Sequence, residues 1–196
     1  MSKTTVSYRP TPKGRIAGLG AAFYEMQQFC NCMIWLRRPP DQAVKNALIE
    51  SMLIHVRVLL DFFEAKKRGE RDGKELDDIL SKDFGFGPTA VGLRRNFRSR
   101  ISTEVAHLSY SRAERVSEKD KAWYPAAFLP LVIECIEFIE FVNSHDEDIL
   151  RRLEEFRAKY HIQAPSVAEL KTTLALIRMH FQTMLHQERT ATGAAR

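Results

Sequence analysis

The sequence predicts an all-α fold: four principal helices in an up-and-down bundle, followed by a two-helix C-terminal extension. Three observations carry that prediction. Apolar residues recur at three- and four-residue spacing through each long stretch, as one face of a helix requires. No stretch sustains the period-two alternation of a strand. Prolines and short polar residues stand where the apolar runs begin and end. At 196 residues, with 44% hydrophobic and 28% charged residues, the chain is long enough to bury a substantial core and has an ordinary globular composition.

Residues 1–17 carry Pro10, Pro12 and Gly14 among polar and basic residues and read as a mobile arm. A first helix starts near Gly18 or Ala21, aligns Phe23, Met26, Cys30, Met33 and Leu36, and stops before Pro39-Pro40. Asp41 then caps a second helix that reaches about Lys67. Leu48, Ile49, Met52, Leu53, Val56, Leu59, Leu60 and Phe63 form its broad face, and Ile54, Val58 and Phe62 extend the apolar surface to the other side. A helix apolar nearly all round is central in a bundle or lies in an interface. Its polar strip, Glu50, Arg57, Asp61 and Glu64, is either the wet side or a half-buried polar site. His55 lies away from that strip and reads as a packed histidine rather than a ligand.

Between residues 66 and 87, charges and glycines break the pattern. A short helical turn is expected at 75–80, and Asp77-Asp78 read as a solvated pair, not a metal site. Pro88 suits the first turn of a third helix, which would bring Leu93, Phe97, Ile101, Val105 and Leu108 to one face. A polar connection follows at 111–121, and Pro125 and Pro130 set the next helix start at about 126–130. That helix is apolar through Val142 except for Glu134, Glu137 and Glu140. This acid strip reads most simply as a solvated face, with pairing to arginines of the third helix as the alternative. Ser144-His145-Asp146-Glu147 and Ser166-Val167-Ala168-Glu169 read as capping boxes for helices running to about Tyr160 and Gln187. The last helix has a seam of Leu170, Leu174, Ile177, Phe181 and Met184, flanked by His180 and His186 without metal spacing. The divisions are thus an arm at 1–17, a bundle at 18–143, an extension at 144–187 and a disordered tail at 188–196.

A net charge of +5 favours acidic partners such as nucleic acid without establishing one. Three cysteines, Cys30, Cys32 and Cys135, are too few and odd in number for a disulfide framework, which points to a reducing, cytoplasmic setting. On a helix, Cys30 and Cys32 diverge by about 200° and read as small buried hydrophobes, not a metal pair. No signal peptide and no membrane span are expected, and no metal or cofactor is implied.

The chemistry concentrates in the third helix. From Leu93 to Arg115, the helix and the start of the connection after it hold six arginines and no lysine: Arg94, Arg95, Arg98, Arg100, Arg112 and Arg115. Arg100 and His107, seven apart, project in nearly the same direction, roughly 100–120° round from Ile101 at the edge of the apolar face. Imidazole titrates near neutral pH and guanidinium is a permanent, phosphate-matching cation, so this pair suits work on a phosphodiester. Arg94, Arg95, Arg98, Arg112 and Arg115 are the candidate RNA-binding cations. Glu50, Arg57, Asp61, Thr103 and Glu104 are the candidate supporting polar network.

An arginine and a histidine enclosing six residues on the third long helix of a short basic protein resemble the signature of the HEPN superfamily, over roughly residues 18–143. The stretch from His55 to Phe63, then Asp77-Asp78-Ile79 and Ala106-His107-Leu108, is also similar to a pattern in uncharacterised bacterial helical proteins. The superfamily resemblance implies a HEPN-like helical bundle and metal-independent RNA cleavage by the ribose 2′-hydroxyl. Arg100 would stabilise phosphate charge and His107 would transfer protons. It also implies a site at a homodimer interface, a defence or toxin role, and an antitoxin or other protein partner. Two other readings use the same residues: a non-catalytic dimerisation or adaptor module, and an RNA-binding protein without cleavage. The bland alternative to catalysis has His107 bonding Asp61 or Glu50 across the helix pair with Arg57 as a third member; the RNA-binding reading uses the arginine cluster alone.

Overall fold

A computed structural model of the protein describes residues 7–37, 41–71, 74–93, 97, 101, 125–160 and 165–193. Among these the fold is mostly helical. α1 spans Pro12–Trp35, α2 Gln42–Glu64, α3 Leu129–His145, α4 Glu147–Tyr160 and α5 Val167–Gly193. No helix among the described residues is long and apolar enough to cross a membrane.

α1 begins well before Gly18, because the Thr11 hydroxyl accepts the Gly14 N–H at 3.0 Å and Pro12 occupies the first turn. That turn requires no N–H from proline and welcomes its fixed φ. α2 begins where expected, with Asp41 Oδ1 accepting the Val44 N–H at 2.9 Å. Its last residue is Glu64 rather than Lys67. The loop that follows holds a two-residue hairpin, β1 (Glu70–Arg71) against β2 (Lys74–Glu75), with Glu70 opposite Glu75. The helical turn lies at Ser81–Phe84, not at 75–80, and Gly85 ends it at φ +83°, the left-handed region that favours glycine. A second short 3-10 turn, Pro125–Phe128, leads into α3.

α3 runs on to His145, past the serine expected to cap α4. Ser144 Oγ turns back to the carbonyls of Glu140 and Phe141, and Asp146 Oδ1 takes the Ile149 N–H instead. The Ser166–Glu169 box forms as expected, with Ser166 N–H donating to Glu169 Oε2 at 2.7 Å and Glu169 N–H donating to Ser166 Oγ at 3.2 Å. α5 continues beyond Gln187 to Gly193. In its seam Leu170, Leu174 and Ile177 are buried, His180 is half-buried, and the side chains of Phe181, Met184 and His186 lie outside the described residues.

α1 packs against α2, α4 and α5, while α3 packs against α4 and α5. Phe23, Met26 and Phe29 of α1, Met52 and Phe63 of α2, and Leu131 and Phe138 of α3 are fully buried. Ile149, Leu153, Leu170 and Leu174 join the same continuous cluster, so both C-terminal helices contribute to this core. Each such side chain contributes about 1.5–3 kcal/mol on burial. Phe138 sits at a junction of edge-to-face contacts with Phe62, Phe63, Phe84 and Phe86, at centroid distances of 5.1, 5.8, 5.9 and 5.5 Å. Phe62 thus faces inward, whereas Ile54 and Val58 face out, 53% and 43% exposed. A close approach at Gly20, where a Cβ would stand 3.2 Å from Leu153 Cδ1, lets α4 settle on α1.

Candidate functional site

The arginine-rich segment enters the fold at the end of α2. Phe63 O accepts the Thr89 N–H at 2.9 Å and Glu64 Oε1 accepts the Val91 N–H at 2.8 Å. These bonds hold residues 86–93 in non-helical conformation, so Pro88 does not open a helix. Beyond them Leu93 and Ile101 are buried, 7% and 2% exposed. Phe97 is half-buried and helical, its ring edge-on to Phe128 at 5.9 Å. Leu93, Phe97 and Ile101, three of the residues expected on one helical face, thus pack inward, although Leu93 itself is non-helical. Arg100 and His107 lie outside the described residues, as do Arg94, Arg95, Arg98, Thr103, Glu104, Val105, Leu108, Arg112 and Arg115.

Three members of the expected polar network are described. Glu50 is half-buried on α2, whereas Arg57 and Asp61 are exposed, so the strip is mainly the wet side of the helix. The Asp61 carboxyl lies above its usual range, chiefly from desolvation, with Asp78 adding repulsion against the relief given by Arg57. Glu64 leaves the strip to bind the Val91 backbone.

A cleft of about 500 Å³ opens beside Phe97, lined by Gly92, Ala127, Leu129, Pro130, Ile133, Glu134 and Glu137. Glu134 departs from the solvated role expected of it. It is 6% exposed, and its Oε1 has no hydrogen-bond partner among the described residues. Burial pushes its carboxyl up; a side-chain hydrogen bond with Thr89 opposes the shift and the Glu137 charge adds to it. Glu137 and Glu140 are exposed, as expected.

A second cavity, about 550 Å³, lies over α1 and α2 and is lined by Ala21, Glu25, Val58, Asp61, Lys67, Asp78 and Ile79 among others. At its edge His55 Nδ1 stands 2.6 Å from Glu25 Oε2, both half-buried, tying the two helices together. His55 is a packed histidine, as its position implied, but Glu25 was legible only as a break in an apolar run. Asp78 is not merely solvated: its Oδ2 accepts the Gly69 N–H at 3.1 Å. Behind it, Arg68 and Asp83 form a buried ion pair at 2.6 Å, and Arg68 Nε donates to the Asp78 carbonyl at 3.1 Å. No sequence signal marked that pair. Its members are fifteen residues apart in a loop whose charges all look alike.

All three cysteines are free and buried. Burial lifts the Cys30 thiol to about 12 and raises those of Cys32 and Cys135, so none is a nucleophile at neutral pH. Compared with known proteins, the chain matches no family model, no curated protein and no solved structure at a significant level.

Proposed function

We propose that the chain is a HEPN-like four-helix bundle protein that cleaves RNA without a metal, at a site shared between two copies. The observation that supports this reading is the anchoring of Leu93, Phe97 and Ile101 against the core. An ideal helix through Phe97 and Ile101 would carry Arg100 and His107 at the border of its apolar face. On such a helix the two would stand about 10 Å apart along the axis with side chains leaning the same way, so they would meet more readily across a two-fold axis than within one chain.

In the reaction, the ribose 2′-oxygen attacks the adjacent phosphorus and the bond from phosphorus to the 5′-oxygen breaks. The products are a 2′,3′-cyclic phosphate and a 5′-hydroxyl. His107 serves in the proton transfers and Arg100 stabilises the charge that gathers on the phosphoryl oxygens. Arg94, Arg95, Arg98, Arg112 and Arg115 hold the RNA backbone, giving strong salt dependence. A defence or toxin role, with a protein antitoxin, belongs to the same proposal.

A second reading, a dimerisation or adaptor module without catalysis, is favoured by the outward apolar residues Tyr24, Ile54 and Val58. The two are separated by incubating an RNA pool in EDTA with the wild type, Arg100→Ala and His107→Ala, and analysing product ends. Cyclic-phosphate ends made by the wild type and by neither variant support the ribonuclease. An inert wild type, with His107→Ala less stable to urea, supports the module.

A further inference from the structure

The cleft beside Phe97 holds a buried carboxyl that the described residues satisfy only in part: a side-chain hydrogen bond joins it to Thr89, and its Oε1 has no partner among them. Glu134 stands among Leu131, Cys135 and Phe138 on α3, all fully buried, where an aliphatic side chain would pack at least as well. Instead the position carries an acid with one oxygen lacking a partner among the described residues. A buried acceptor left unmatched is costly, and in native proteins it commonly marks a ligand, an ion or a catalytic role. Here the same residue lines an open cleft of about 500 Å³, within the range of small-molecule sites.

The walls select the ligand. Phe97, Leu129, Pro130 and Ile133 are apolar, Glu137 adds a second carboxylate one turn along the helix, and no basic side chain lines the cleft among the described residues. The two acids disfavour anions and neutral solutes that only accept hydrogen bonds. A divalent metal fits poorly, since calcium or magnesium takes six or more oxygen ligands and these walls are largely hydrocarbon. A cation on an apolar stem fits each part: charge to the carboxylates and stem to the aliphatic walls.

We infer that this cleft binds a small organic cation, a guanidinium or ammonium group on a short apolar stem, with Glu134 as its buried counter-charge. The site stands independently of the ribonuclease reading.

The test is calorimetric titration of the full chain with n-butylguanidinium at low salt, beside n-butylurea, which has nearly the same shape and no charge. Saturable 1:1 binding is expected for the cation, with the urea at least ~10-fold weaker, the worth of one charge-assisted hydrogen bond. Glu134→Gln, shown folded by circular dichroism, should weaken the cation by roughly 10- to 100-fold and leave the urea unchanged. A capped Gly-Arg-Gly peptide then tells the source: binding as tight as the free cation assigns the site to a partner's arginine, and exclusion assigns it to a free solute. Equal binding of cation and urea overturns the proposal. So does an absence of saturable binding to the wild type, as when one of the chain's own arginines already holds the carboxylate. If Glu134→Gln does not fold, the comparison of cation with urea decides.

Discussion

Glu134, Glu137 and Glu140 look alike in the sequence, yet only the first is buried. Each three-residue step falls about 60° short of a full turn, so the strip drifts by about 120° across its length and its first member swings toward the core. Helical spacing alone does not show which end of a drifting strip turns inward; that depends on where the neighbouring elements stop. Glu134 also predicts a pH effect. Its folded-state pKa is raised by desolvation, with Thr89 opposing and Glu137 reinforcing. Relative to the unfolded chain it favours the protonated form, so its contribution is fully present below the unfolded pKa and lost as pH rises through the folded one. Urea unfolding of the wild type and Glu134→Gln should therefore diverge as pH rises above the ordinary glutamate range. The variant should gain stability relative to the wild type over that range, because its amide has no charge to desolvate. Parallel curves across that range would remove the assigned cause. The cysteines give a simpler test at this scale. With Cys30 at about 12 and Cys32 and Cys135 also raised, an aromatic disulfide reagent at neutral pH should titrate no thiol in the native protein and all three in urea.

At the scale of the element, helix faces and two of the caps were legible because they are local chemistry. Asp41 before an apolar run and the Ser166–Glu169 box each announce a helix within four residues, and both form. Ser166→Ala should cost about 1 kcal/mol in urea unfolding. The start of α1 was equally local but masked by company: Thr11 and Pro12 make a cap and a first turn, yet sit among residues that resemble a loop. The loop after α2 was illegible for a different reason. Its order comes from Arg68 reaching Asp83 and the Asp78 carbonyl, while Asp83 Oδ2 also accepts the Leu80 N–H and Lys82 Nζ reaches the Lys66 carbonyl. Nothing in a run of lysines, arginines and acids says which pair will be buried. Arg68→Met should cost about 3–5 kcal/mol, because it strands Asp83 in a site only 10% exposed. Adding Asp83→Asn keeps the acceptor for Leu80 and removes the stranded charge, so the double variant should recover much of that loss in the same urea measurement.

At the scale of the whole molecule, α1, α2 and α3 follow in the order in which the sequence places their apolar runs, and Leu93 and Ile101, between α2 and α3, are buried. What a single chain leaves open is the other side of α2, where Ile54 and Val58 stand exposed, as does Tyr24 of α1. The proposed ribonuclease needs two copies, and that requirement has a numerical signature. Suppose each site takes Arg100 from one subunit and His107 from the other. An Arg100→Ala homodimer and a His107→Ala homodimer are then both dead. In a mixed dimer one site receives both substitutions and the other receives neither, so one of its two sites is intact. Random reassortment after unfolding and refolding makes about half of all dimers mixed, and activity should return to about a quarter of the wild-type level. If both residues serve within one chain, no mixture contains an intact pair and activity stays at the level of the single variants. Cleavage measured on the remixed pair, with each variant refolded alone as the control, therefore separates a shared site from a self-contained one. The same refolding of wild type with Arg100→Ala/His107→Ala guards against a trivial loss: random pairing leaves one intact wild-type homodimer in four whichever architecture holds.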